Sequence, residues 1–130
     1  NILYIGIVRH SYTWINSFYK YPYFVNKNIR NNKDKFLNYE FWSQDGNTEI
    51  IQDRNIFTKE RYKNIFELRK VKLEFLYDKM PSLAKNYILI KYEDLRDDYE
   101  NTLNFIKNQF NILTKDSYPK KYLLILAEVN

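Results

Sequence analysis

Hydrophobic and polar positions divide this chain into runs, stripes and polar gaps. Ile2 to Val8 form a nearly continuous apolar run with β-branched and aromatic members. Such a run predicts a buried, parallel strand. Arg9 and His10 follow at once, then Ser11, a side chain suited to cap a helix. From Tyr12 to about Tyr21, Trp14, Ser17, Phe18 and Tyr21 recur at three- and four-residue spacing, which predicts a helix closed by Pro22. Residues 23–35 are rich in Asn and Lys and read as a surface loop. A short helix is expected over Phe36–Trp42 and a second loop over Ser43–Thr58, around Gly46. Loops of this length in a compact domain usually carry function or mobility.

The second half begins with an expected long helix, Lys59 to Lys79, stopped by Pro81. At 100° per residue, Tyr62, Ile65, Phe66, Leu73, Leu76 and Met80 share a face, widened by Leu68, Val71 and Phe75. Arg69 falls inside that apolar arc and Lys72 between its two parts. Charges there must be paired or meet a ligand, because an isolated buried charge is very costly. Asn86–Tyr92 is strongly apolar at Tyr87-Ile88-Leu89-Ile90 and predicts a second buried strand. Asp97 or Asp98 is placed to cap a last helix, Tyr99–Asn111, with a stripe of Tyr99, Thr102, Leu103, Ile106 and Phe110. The run Tyr122–Leu126 in the tail fits strand and helix equally. Strand, helix, helix, strand, helix is an α/β order with parallel pairing.

Composition narrows the chemistry. The 130 residues are 45% hydrophobic and 18% aromatic, enough to pack a core for one domain or a piece of one. A net charge of +5 favours an anionic partner. The richness in Asn, Lys, Ile and Tyr has the look of an AT-rich coding bias, which discounts part of that charge. Without cysteine, neither a disulfide framework nor a thiolate metal site is open to the chain. No apolar run approaches the roughly 20 residues that span a bilayer. The chain opens on Asn1 and runs straight into a strand, so further sequence is expected upstream.

Chemistry concentrates in Ile7-Val8-Arg9-His10-Ser11-Tyr12-Thr13-Trp14-Ile15-Asn16-Ser17. Ligands of open parallel sheets gather at the carboxyl ends of strands, where Arg9 stands and the next helix begins. A helix N-terminus offers backbone N–H groups to an anion, and Arg adds a planar fork of donors suited to phosphate. An apolar strand, then Arg, then Ser eight residues on resembles the 3′-phosphate-binding motif of the sulfotransferase family. Members often carry Pro two residues after the Arg, where this chain has Ser11. A second segment, Tyr87-Ile88-Leu89-Ile90-Lys91-Tyr92-Glu93-Asp94-Leu95, is similar to that family's strand followed by Tyr-Glu-Asp-Leu. The following Asp98, Glu100, Thr102 and Leu103 resemble its next helix start, with Tyr99 where Pro is usual.

The resemblance spans about Ile2–Ile112 and leaves the middle loops unmatched. It implies part of a P-loop-NTPase-like parallel sheet flanked by helices, here a single incomplete domain. It implies 3′-phosphoadenylyl sulfate as sulfuryl donor and a hydroxyl or amine of a small molecule, glycan or protein as acceptor; no metal is expected, since the sequence offers no ligand cluster. Arg9 and Ser17 would hold the 3′-phosphate and Tyr92 would lie against the adenine. Arg69 and Lys72 loosely match an Arg-x-x-Lys of some members and stand as lesser anion contacts. The family's Gly-rich loop for the 5′-phosphosulfate and its usual base are expected before residue 1. The present chain is therefore not expected to transfer sulfuryl groups by itself.

Plainer roles compete at each position. Arg9 also suits a salt bridge at a strand end, Ser17 a helix surface, and Tyr92 a core aromatic. Arg69 and Lys72 suit pairing with Glu93 or Asp94, which themselves read as structural. His10, the single histidine, belongs to the turn. Lys27, Arg30, Lys33 and Lys35 read as a solvated face. Two alternative functions are a non-catalytic nucleotide- or partner-binding relative, and a basic, aromatic-rich module for single-stranded nucleic acid.

Overall fold

Two five-residue strands pair in parallel: β1, Tyr4–Val8, and β2, Tyr87–Lys91, in register from Tyr4 opposite Tyr87 to Val8 opposite Lys91. These belong to a computed structural model that describes residues 2–22, 25–43 and 53–112. The run Tyr122–Leu126, expected as strand or helix, and part of the second loop lie outside the described residues. Helices and a parallel sheet make the fold α/β. The described residues divide into a strand unit, within 2–10 and 76–112, and a helical unit, within 11–75.

In the strand unit the helices are α5 (Met80–Leu83), α6 (Tyr92–Asp97) and α7 (Tyr99–Phe110). Leu103 and Ile106 of the expected α7 stripe are buried, and Asp98 stands at the N-cap position, though its side chain makes no cap bond. Instead the Asp98 carboxylate accepts from the Asn101 amide at 3.1 Å. α6 was not expected from the pattern. Paired residues of parallel strands face the same side. Ile88 and Ile90 therefore share a face, and they pack with Ile106, Ile112 and Leu3. β1 departs from the expected buried strand: Val8 is buried, whereas Ile5 is 36% and Ile7 53% exposed. Among the described residues, α7 covers the β2 side of this face and leaves the β1 side open.

The opposite face explains Gly6. A Cβ there would stand 2.7 Å from both Leu89 Cδ1 and the Tyr87 hydroxyl. That hydroxyl donates to the Leu76 carbonyl at 3.0 Å. Leu76 lies in a π-helical segment, Phe75–Lys79, where the wider turn breaks the regular i to i−4 ladder.

In the helical unit α1 (Ser11–Lys20) matches its expectation, with Ser11 as first helical residue rather than cap. The expected loop 23–35 is corrected. It holds α2 (Lys27–Arg30) and the start of α3 (Lys33–Asn38), which also replaces the expected helix 36–42. Its asparagines make caps: Asn26 Oδ1 accepts from the Asn28 N–H and Asn32 Oδ1 from the Lys35 N–H. Val25, Ile29 and Phe36 then bury together against Ile15, Phe18 and Tyr19.

The expected helix 59–79 is also corrected. α4 runs only from Ile65 to Glu74, capped by Asn64, whose Oδ1 accepts from the N–H groups of Phe66 and Glu67 at 3.0 Å. Lys59 lies in the left-handed region at φ 66°, and Asn55 and Glu60 close a turn through a 2.7 Å backbone bond. Pro81 sits in the first turn of α5, where a missing N–H costs nothing. The buried face of α4 is Ile65, Leu68 and Val71 with Tyr62 before it, while Phe66 is 52% exposed. Helix phase read across residues 59–64 and the π turn was false on both sides.

Substituting Gly6→Ala is expected to cost about 2 kcal/mol in urea unfolding, because two packed groups must move. In a Tyr87→Phe background the cost should be smaller, since one obstructing atom is gone; an additive double-mutant cycle would contradict this. Burial, then the neighbouring Tyr77, holds the Tyr87 phenol above its ordinary value of 10.0. A raised folded value means that the bound proton favours the fold. This contribution is complete below about pH 10 and is lost as pH rises through the folded value. Tyrosinate absorbance in wild type and Tyr87→Phe, followed alongside unfolding, checks the sign.

Candidate anion-binding site

One step beyond the last strand pair, Val8 opposite Lys91, the register brings Arg9 and Tyr92 abreast at the carboxyl ends of both strands. The Arg9 guanidinium carbon lies 4.8 Å from the centroid of the Tyr92 ring. That is well inside the range of cation–π attraction. Arg9 is half-buried and Tyr92 is 36% exposed. Arg96, one turn further along α6, stands 6.0 Å from the same ring. Next to Arg9, the His10 backbone N–H donates to Glu93 Oε1 at 3.0 Å. Ring and carboxylate from the end of β2 thus both engage the end of β1.

Arg96 is forked onto Asp97, with Nε and one terminal nitrogen at 2.6 and 2.7 Å from the two carboxylate oxygens. This bond holds the Asp97 carboxyl below its ordinary range and raises the proton affinity of Arg96. Both side chains face solvent, so the pair adds little stability. Arg9, Lys91 and Arg96 stand against Glu93, Asp94 and Asp97, three charges of each sign. The two strand ends carry no net charge; a guanidinium with a set direction is what they offer an anion.

The remaining expected residues belong to the helical unit. Arg9 and Tyr92 belong to the strand unit, Ser17 to α1 of the helical unit. Arg69 meets an aromatic ring on α1. Its guanidinium lies 4.7 Å from the Trp14 ring centroid, so an aromatic face meets the cation within the apolar arc. Lys72 is exposed on α4.

A second cationic cluster gave no signal in the sequence. Arg61 lies 3.3 Å from the Trp42 ring centroid and 3.7 Å from Asp53, which is 1% exposed. Asp53 also accepts from the Ser43 N–H at 2.9 Å. These residues sit ten and nineteen positions apart across polar sequence, where no period exists to read.

Comparison of the chain with protein-family models, with curated proteins and with solved structures finds no match. Among the described residues, no group of three or more metal-ligating side chains is assembled, and no helix is long and apolar enough to cross a membrane.

Asp53→Ala should destabilise the helical unit by about 3 kcal/mol, because it takes a buried carboxylate from beside a largely buried guanidinium. Asp53→Asn keeps an acceptor for the Ser43 N–H and should fall between Ala and wild type. Equal losses in chemical denaturation would mean that the Ser43 bond carries nothing.

Proposed function

We propose that this chain carries the 3′-phosphate-binding half of a sulfotransferase that takes 3′-phosphoadenylyl sulfate as donor. The reading rests first on the Arg9 guanidinium set over the Tyr92 ring where two adjacent parallel strands end. Ligands collect at such ends, and a planar guanidinium matches the oxygens of a phosphate. Both sequence segments that resemble the sulfotransferase family supply these residues, in the order that the family has them. The reading carries with it a sheet of the P-loop-NTPase kind and an acceptor hydroxyl or amine.

The donor, when bound, supplies a sulfuryl group on a phosphosulfate anhydride. Arg9 would bind its 3′-phosphate and so orient it, with Ser17 sharing the same phosphate as the family resemblance implies. Positioning and cationic stabilisation account for most catalysis in transfers of this type. The residues at this end of the nucleotide anchor the donor and stand outside the chemical step.

Adenosine 3′,5′-bisphosphate is expected to raise the melting temperature of the full-length protein. Adenosine 5′-monophosphate should raise it less. Arg9→Ala should weaken the bisphosphate by about a hundredfold, the scale of a charge-assisted contact of nearly 3 kcal/mol. Calorimetric titration measures both. No bisphosphate effect, together with salt-sensitive binding of a single-stranded oligonucleotide, would replace this reading with the nucleic-acid one.

A further inference from the structure

We infer that Tyr92 and Glu93 are positioning residues for Arg9, and that the Tyr92 ring serves the guanidinium rather than an adenine base. The inference rests on the reading of Arg9 as the anion contact, and it gives Tyr92 a different part from the stacking role that the family resemblance implies. A ring face with a guanidinium 4.8 Å from its centroid is already covered by a cation on that side. A base stacking on that face would have to displace it and forfeit the attraction. Arg96 approaches the same ring at 6.0 Å, which adds positive charge and makes the surroundings poorer still for an electron-deficient base edge.

Glu93 acts on the backbone. By accepting from the His10 N–H at 3.0 Å, it pins the residue that follows Arg9. A guanidinium hangs on a flexible stem with much rotamer freedom, so an arginine that binds an anion well must lose that freedom beforehand. Here one carboxylate fixes where the stem leaves the backbone, and one ring fixes where the planar head rests. Two consecutive residues at the end of β2 do both, and Glu93 is 83 positions from His10 in the chain. The parallel register makes this possible, because it sets the two strand ends level.

A link that merely ties strand ends together would predict other behaviour, and conservative variants separate the two. Tyr92→Phe keeps the ring face and Glu93→Gln keeps an acceptor, whereas Tyr92→Leu and Glu93→Ala remove them. In the full-length protein, Tyr92→Leu should weaken adenosine 3′,5′-bisphosphate about tenfold while leaving adenosine 5′-monophosphate within about twofold, on the scale of a half-buried cation–π contact. Glu93→Ala should follow the same pattern, and Tyr92→Phe and Glu93→Gln should restore wild-type affinity. Equal losses for both nucleotides in Tyr92→Leu would overturn the inference in favour of base stacking. A ligand-free arm reads the contact directly: the Arg9 Nε–H resonance should carry a ring-current shift that Tyr92→Leu abolishes and Tyr92→Phe keeps. A resonance indifferent to Tyr92→Leu overturns the inference. If wild type binds neither nucleotide, the failure is that of the donor reading, and the resonance alone decides whether the ring holds the guanidinium.

Discussion

Parallel pairing between β1 and β2 is the constraint on which the strand unit depends. Parallel strands cannot be joined by a tight turn, so the chain between Val8 and Tyr87 must return to the same end of the sheet before pairing begins. Once the register is set, each later contact follows from it. Tyr87 falls where its phenol crosses Gly6 and reaches Leu76, and Ile88 and Ile90 fall on the side that α7 covers. Arg9 falls beside Tyr92. A slip of one residue would turn every one of these side chains to the wrong face.

Aromatic faces are the chain's recurrent answer to a half-buried cation. Arg9 lies over Tyr92, Arg61 over Trp42 and Arg69 over Trp14. A guanidinium is weakly hydrated and planar, so a ring face compensates part of what it loses on leaving water. The three pairs differ in setting. Arg61 is also joined to buried Asp53, and the Trp14 that meets Arg69 packs against the core of Tyr62, Ile65, Leu68 and Val71. Of the three, the Arg9 pair stands at the carboxyl end of a parallel strand, where ligands of such sheets collect.

Much of the fold was legible. Both strands, α1 and α7 announce themselves through uninterrupted apolar runs or a stripe of period 3.6, each bounded by Pro22, by Asp98 or by a polar turn. The helices α2 and α3 did not, because four and six residues are too few to show a period. Their asparagines read equally well as loop residues and as caps. Only the burial of Val25, Ile29 and Phe36 settles which they are. The false start of α4 has the same origin: Tyr62 is buried, but as part of a turn, so a helical wheel extended through it borrowed a core residue from another element.

The order of residues alone determined the α/β alternation, the placing of Arg9 and Tyr92 at strand ends, and the need for Arg69 to find a partner within an apolar arc. Each of those follows from local rules of periodicity, capping and the cost of burying charge. Tertiary structure decided the rest: that Tyr92 sits against Arg9, that Arg69 lies over Trp14, that Glu93 grips the backbone at His10, and that Ile5 and Ile7 lie open while Ile88 and Ile90 do not. Such choices depend on which distant groups register and packing bring within a few ångströms, and no local pattern encodes that distance.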